Sequence, residues 1–265
     1  MGVMALKDAL TENVLKIAKT AGDAIMDIYR KDVAVYEKQD TSPLTEADLA
    51  AHNIIVEGLK SLSDLPILSE ESADISWNER QQWQRYWLVD PLDGTKEFIK
   101  KNGEFTVNIA LIDNGKPVMG VVYAPALEKS YIGIVGEGAW SESKGEMTPI
   151  KARKHQPGDT WKVVGSRSHQ SPEIQKLLAE LDGETELVAM GSSLKLCLVA
   201  EGQAHLYPRL GPTSEWDTGA AHAVALAAGA NVTVLDPQAP LASDAQPLTY
   251  NQEESVLNPY FLVSA

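Results

Sequence analysis

Apolar positions in the first thirty residues recur at intervals of three and four: Leu6, Leu10, Val14, Ile17, Ala21, Ile25 and Ile28. That period puts them on one stripe of an amphipathic helix. Val33 and Val35 then alternate with smaller or polar neighbours as a short strand does, and Gln39 to Pro43 reads as a polar loop. A second helix starts at Thr45-Glu46-Ala47-Asp48 and carries Leu49, His52, Ile55, Val56 and Leu59, with Thr45 the expected N-cap and Asp48 the acid that answers it. Pro66-Ile67-Leu68 is a short buried strand ending in Ser69-Glu70-Glu71-Ser72, and Trp77 to Tyr86 has helical character. Trp87-Leu88-Val89 forms another apolar strand. Pro91 is expected to stop it, and Gly94 to turn the backbone into a short helix over Thr95 to Lys101. Phe105 to Ile112, Pro117 to Tyr123 and Ser130 to Val135 follow as strands of an antiparallel meander, the first two joined at Asn114-Gly115, a strong hairpin pair.

Lys154 to Thr160, polar and carrying Pro157 and Gly158, marks a boundary between two halves, 1–153 and 160–265, of one compact unit. Beyond it strand and helix alternate. Trp161 to Gly165 is a strand, Ser171-Pro172-Glu173 opens a helix, and Leu187 to Met190 is a strand leading to Gly191-Ser192-Ser193-Leu194-Lys195, whose helix ends at Gly202. After a strand at Ala204 to Pro208, Trp216-Asp217 opens a helix so rich in alanine and glycine that a neighbour must pack closely against it. Asp217 alone reads as an N-cap. An α+β first half followed by an α/β second half defines the fold class, and no internal repeat or low-complexity tract is visible.

With 23 Lys+Arg against 37 Asp+Glu, the 265-residue chain has a net charge of −14. This argues against nucleic acid or anionic lipid as a main partner. Any anionic substrate must be met by local positive charge, from metal or from a few placed basic residues. The single cysteine, Cys197, sits between Leu196 and Leu198, so it excludes an intrachain disulfide framework and reads as a packed thiol in a reducing compartment. Met1 to Leu10 lacks the pattern of a secretory signal, and no window approaches the roughly eighteen apolar residues of a membrane span. A cytoplasmic protein is expected, and the pattern assigns no oligomeric state.

Charge becomes informative where apolar strands deliver carboxylates. Leu88 and Val89 lead straight to Asp90 and Asp93, and Leu68 leads to Glu70. A buried carboxylate without a partner costs several kcal/mol or more, and a divalent metal is the obvious partner. Adding Asp48 and Asp217 gives a pocket of roughly minus five, which two or three Mg²⁺ ions would convert into a site for phosphate. Gly94-Thr95, Gly191-Ser192-Ser193 and Asp217-Thr218 are three helix starts whose N–H groups and positive dipole ends suit an anion. A competing chemistry is the Asp-x-Asp-Gly-Thr motif of haloacid-dehalogenase phosphatases, whose first Asp is a nucleophile. Here one residue is inserted, and residues three apart on an extended strand do not share a face.

Taken together, Asp48, Glu70-Glu71, Asp90-Pro91-Leu92-Asp93-Gly94-Thr95 and Trp216-Asp217 resemble the signature of the inositol monophosphatase superfamily of Mg²⁺-dependent, lithium-sensitive phosphatases. Tyr86 to Pro125, Gly191 to Gly202 and Leu206-Tyr207-Pro208-Arg209 resemble its bacterial 3'(2'),5'-bisphosphate nucleotidase branch. The resemblance implies a layered αβαβα sandwich of the inositol monophosphatase / fructose-1,6-bisphosphatase type. It implies hydrolysis of adenosine 3',5'-bisphosphate to AMP and phosphate, and of its sulfated form, in sulfate assimilation. It places Glu70, Asp90 and the Leu92 carbonyl on one Mg²⁺, and Asp90, Asp93 and Asp217 on a second. Thr95 and Asp48 would orient and deprotonate the attacking water, with Glu70 and a third metal nearby, and Gly94 and Thr95 would hold the departing phosphate. Ser192 and above all Lys195 belong to the segment that would choose a substrate with a second phosphate. Arg167, Ser168 and His169 resemble a stretch near the nucleotide, and Arg209 could assist. The rivals are an inositol-phosphate or fructose-1,6-bisphosphate phosphatase on the same fold and a catalytically silent nucleotide- or metal-binding regulator. The resemblance also allows peripheral attachment to the cytoplasmic face of the inner membrane.

Overall fold

The computed structural model describes residues 8–31, 43–165 and 172–265. The expected strand at Val33 and Val35, and Arg167 and His169, lie outside these residues. Helix α1 (Ala9–Tyr29) is capped by Asp8, whose carboxylate accepts the Leu10 and Thr11 N–H groups. Helix α2 (Pro43–Leu62) begins two residues before the expected start, so Thr45 lies inside the first turn and is not the N-cap. Proline at a first helical position loses no hydrogen bond, because that N–H has no partner in the helix.

Strand β1 (Ile67–Ser69), helix α3 (Trp77–Arg80), strand β2 (Arg85–Asp93) and helix α4 (Thr95–Ile99) follow. The helical character expected up to Tyr86 is confined to α3. The meander continues with β3 (Thr106–Asp113), β4 (Lys116–Ala124), β5 (Lys129–Ile134), β6 (Gly138–Ser143) and β7 (Glu146–Ile150). The last two strands were not expected, because they are half-exposed and short on apolar alternation. These strands form one seven-stranded sheet in chain order, antiparallel except for the parallel pair β1 and β2. The second half supplies β8 (Trp161–Gly165), α5 (Pro172–Glu180), β9 (Thr185–Ala189), α6 (Leu194–Ala200), β10 (Leu206–Arg209), α7 (Glu215–Ala227), β11 (Asn231–Val234) and β12 (Phe261–Ser264), with a five-stranded sheet in the order β11-β12-β10-β8-β9.

Strand alternation decides the layering. In β3, Val107, Ile109 and Leu111 join the core formed with α1 and α2, whereas Ala110 and Ile112 face the core formed with α6 and α7. In β12, Phe261 and Val263 share that second core while Leu262 turns to the opposite face, where Leu177 of α5 packs. The order of layers is therefore helix pair, seven-stranded sheet, helix pair, five-stranded sheet, helix: αβαβα.

The small residues of α7 meet their expected neighbour. A Cβ at Gly120 of β4 would lie 2.1 Å from the Ala220 carbonyl oxygen, and one at Gly133 of β5 would lie 2.5 Å from the Val224 Cα. Sheet and helix touch backbone to backbone along β4 and β5, and Gly219 near the start of α7 packs on Leu88 of β2 and Ala110 of β3, which holds the start of α7 beside the strand that carries Asp90 and Asp93. Among the described residues no helix is long and apolar enough to cross a membrane.

Candidate metal centre and substrate cavity

Parallel pairing of β1 and β2 sets Ser69 opposite Val89, so Glu70, just past the end of β1, comes to stand beside Asp90 of β2. One strand end thus delivers two carboxylates. The edge of α2 closes over it, with His52 Nδ1 2.9 Å from Ser69 Oγ.

Contrary to expectation, Pro91 does not end β2. The strand runs on to Asp93, and its register with β3 shifts on the way: Asp90 opposes Asn108 and Asp93 opposes Thr106, so three steps on β2 match two on β3. This is a bulge, located where Pro91 has no N–H for the ladder. Leu92 N–H turns instead to Asp90 Oδ1 at 3.0 Å. The extra residue changes the parity of the strand, so Asp90 and Asp93 come together although they are three apart. On this bulged strand two acids three residues apart do share a side, contrary to the expectation for a regular strand.

Asp217 arrives from the opposite layer. Ser214 is the N-cap of α7, and Asp217 sits three residues inside, its Oδ2 accepting the Ser214 N–H at 2.8 Å, so the expectation of an Asp217 N-cap is corrected. One carboxylate oxygen each from Asp90, Asp93 and Asp217 lies within 4.8 Å of the others. Glu70, exposed at the rim, interacts with Asp90, and Asp48 on α2 feels both Glu71 and Glu70. Thr95 is exposed at the start of α4, after Gly94, whose φ of +103° is the left-handed turn glycine permits.

Burial, then the like charges of Asp93, Glu70, Asp217 and Asp48, push the Asp90 carboxyl well above the usual range. Burial and Asp217 raise Asp93 to about 7, against the opposing pull of Lys195, the Ser193 N–H and Asn108. Burial and the two glutamates raise Asp48 to about 8, and its Oδ1 is buried without a hydrogen-bond partner. With Asp90 buried and Asp93, Asp217 and Asp48 half-buried, these crowded carboxyls, all oxygen donors, fit a hard divalent cation.

This predicts a specific pH response. At pH 6.5 the unfolded chain has ionised its carboxyls and holds about half a proton on each histidine, which it loses by about pH 7.5. In the folded, metal-free protein Asp93 and Asp48 still hold protons there and release them toward pH 8. The folded state binds more protons, so metal-free stability should fall as pH rises from 6.5 to 8.5. Saturating Mg²⁺ should remove most of that fall. Melting curves with chelator and with Mg²⁺ test this, and a metal-free Tm that rises over the interval would contradict it.

A cavity of about 870 Å³ opens beside the acids. Asp93, Gly94, Ser192, Lys195, Arg209 and Asp217 all line it, together with apolar Ile174, Leu187, Met190 and Leu210. Lys195 Nζ lies 5.9 Å from the Tyr207 ring centre, and Arg209 donates to the Pro212 carbonyl while its Nε is buried and unpartnered. Leu92, Glu70, Asp48 and Thr95 are not among the lining residues of this cavity. Of the polar residues beneath it, sequence reasoning named Ser193 only as part of a helix start and did not single out Thr106 and Asn108. Ser193 N–H donates to Asp93 Oδ2 at 2.6 Å, and its hydroxyl reaches Asn108 Oδ1 at 2.8 Å and Thr106 Oγ1 at 2.9 Å. The available signal was Thr106 and Asn108 alternating on one face of an otherwise apolar strand.

Buried acids at strand ends, facing helix starts across a layered α/β sandwich, define a site for cations and an oxyanion. The inositol monophosphatase family model matches residues 6–261, and the chain belongs to that family, whose members are metal-dependent. It is 54% identical over 258 residues to the 3'(2'),5'-bisphosphate nucleotidase CysQ of Escherichia coli K12, covering 96% of this chain and 99% of that protein. The crystal structure of CysQ from Bacteroides thetaiotaomicron superposes with a TM-score of 0.85 at 41% identity, over 98% of each chain. An inositol monophosphatase of Staphylococcus aureus, 21% identical, shares the fold with a TM-score of 0.76, over 97% of this chain and 91% of that one.

Proposed function

We propose that the protein is a Mg²⁺-dependent 3'(2'),5'-bisphosphate nucleotidase that hydrolyses adenosine 3',5'-bisphosphate to AMP and phosphate, and its 5'-sulfated form to adenosine 5'-phosphosulfate. The observation that carries the reading is a single cavity with Asp93 and Asp217 on its wall and Lys195 and Arg209 beside them. Such a cavity suits a substrate with one phosphate to be cleaved and a second to be recognised. The near full-length similarity to nucleotidases supports the same choice.

In this reading Glu70, Asp90 and the Leu92 carbonyl would hold one Mg²⁺ and Asp90, Asp93 and Asp217 a second, with Glu70 and Asp48 able to serve a third. Bound there, Mg²⁺ supplies Lewis-acid charge to the attacking and departing oxygens and lowers the pKa of water. Thr95 and Asp48 would orient the attacking water, and Asp48 would take its proton once bound cations offset the burial and the glutamate charges that raise its carboxyl in the metal-free protein. Gly94 and Thr95 present N–H groups to the phosphate being released. Ser192, Lys195 and Arg209, with Arg167 and His169, hold the nucleotide and its second phosphate. The segments 1–153 and 160–265 act as one catalytic unit, since the core between the sheets draws Leu88 and Ala110 from the first and Ala221 and Phe261 from the second. The enzyme works in the cytoplasm, consistent with the buried free thiol of Cys197.

Phosphate release from adenosine 3',5'-bisphosphate, inositol 1-phosphate and fructose 1,6-bisphosphate tests this directly. The nucleotide should be the preferred substrate, Mg²⁺ should be required, and chelator and Li⁺ should each suppress the rate. Preference for either sugar phosphate would move the assignment to another branch of the family, and no turnover of any of the three would indicate a binding protein.

A further inference from the structure

We propose that Asn108 is a positioning residue for the reaction, tying the metal-ligand strand to the first turn of α6 through Ser193. The inference rests on the reading of Asp93 as a metal ligand and of α6 as the helix that presents Lys195.

Asn108 and Thr106 sit in the middle of the molecule, 1% and 0% exposed, on the face of β3 that continues as Ala110 and Ile112. A polar side chain there is costly unless its groups are matched. Ser193, 2% exposed, meets Asn108 Oδ1 and Thr106 through its hydroxyl and keeps its N–H for Asp93. Its N–H donates to Asp93 Oδ2, and its hydroxyl donates to Asn108 Oδ1 while accepting from Thr106. The order of donors follows: a serine hydroxyl has one proton, so once it is given to Asn108 the Thr106 hydroxyl must supply the other bond.

The amide orientation follows as well. With Oδ1 on Ser193, Asn108 turns Nδ2 away from the serine, and that nitrogen is buried without a hydrogen bond of normal geometry. Asn108 stands opposite Asp90 across the bulge, and Thr106 opposite Asp93. The Asn108 side chain also pulls the Asp93 carboxyl down, which fits an N–H group turned toward that carboxylate, where a flipped amide would set oxygen against oxygen. Asn108 thus holds the rotamer of Ser193, and Ser193 holds both Asp93 and the entry to α6. The metal half and the nucleotide half of the site meet in this buried contact.

The test uses Asn108→Leu, which keeps the volume and removes both polar groups, and Ser193→Ala, which keeps the N–H on Asp93 and removes the hydroxyl. Each should weaken Mg²⁺ binding, measured by calorimetry without substrate, and lower kcat for adenosine 3',5'-bisphosphate, by about 10–100-fold, the usual range for partners of metal ligands. Each single variant strands a buried polar partner, so metal-free Tm should also fall, and Mg²⁺ affinity is compared at a temperature where both proteins are folded. The double variant should lose no more than the worse single one, because both changes break the same chain of contacts. If Asn108→Leu does not fold, Asn108→Ser with Ser193→Ala repeats the cycle. Folded variants that bind Mg²⁺ as tightly as the parent, or losses that multiply in the double variant, overturn the proposal. Failure of the underlying reading would look different: an Asp93→Asn variant that retains Mg²⁺ binding would remove Asp93 from the metal site whatever Asn108 does.

Discussion

Asp90→Asn is expected to abolish phosphate release while leaving a folded protein. Asp90 is 1% exposed, lies within 4.8 Å of the Asp93 and Asp217 carboxylates, and in the proposed reading bridges two Mg²⁺ ions. Losing that anion removes charge from both ions at once. A loss of about 4 kcal/mol of transition-state stabilisation would be about a thousandfold in rate. The fold should tolerate the change for a local reason. Asparagine keeps the oxygen that accepts the Leu92 N–H, and it removes a charge that burial and four neighbouring acids oppose. Metal-free Tm should therefore equal or exceed that of the parent, while the rise in Tm on adding Mg²⁺ should shrink. A variant with near-parental rate at saturating Mg²⁺ would refute the assignment of Asp90 to the metal.

Lys195→Met should separate recognition from chemistry. KM for adenosine 3',5'-bisphosphate should rise by about 10–100-fold, matching the 1.5–3 kcal/mol typical of a hydrogen bond to a charged group. KM for adenosine 3'-monophosphate, which has no second phosphate, should stay near the parental value. The comparison is demanding because Lys195 has a second possible role: its charge also pulls the Asp93 carboxyl down, so it acts on the acid cluster itself. If that role dominated, both substrates would suffer equally and the Mg²⁺ requirement would shift. Methionine preserves the aliphatic stem near the Tyr207 ring, so lost packing does not confuse the result.

Glu70, Asp90 and Asp93 were readable as candidates because each follows an apolar run, and carboxylates at the end of a buried strand demand a partner. Asp217 was harder. An acid at the start of a helix is common, and only the packing of α7 across β2 to β5 brings it to Asp90. Pro91 misled in the opposite direction: local chemistry favours a strand end, but the flanking residues continue to pair with β3 and absorb the proline as a bulge. Asn108 and Thr106 were passed over because β3 reads as apolar by composition, although their spacing marks one face of the strand.

Secondary structure along most of the chain, its two-part character and the acid-bearing strand ends follow from residue order, because period, caps and turns are local properties. The pairing of Glu70 with Asp90 needs a parallel register between strands separated in sequence by α3, and the pairing of Asp90 with Asp93 needs an extra residue accommodated against β3. Asp217, Lys195 and Ser193 reach the same cavity only after the two sheets close on α6 and α7. These are long-range contacts, set by which faces must be buried together, and no local pattern records them.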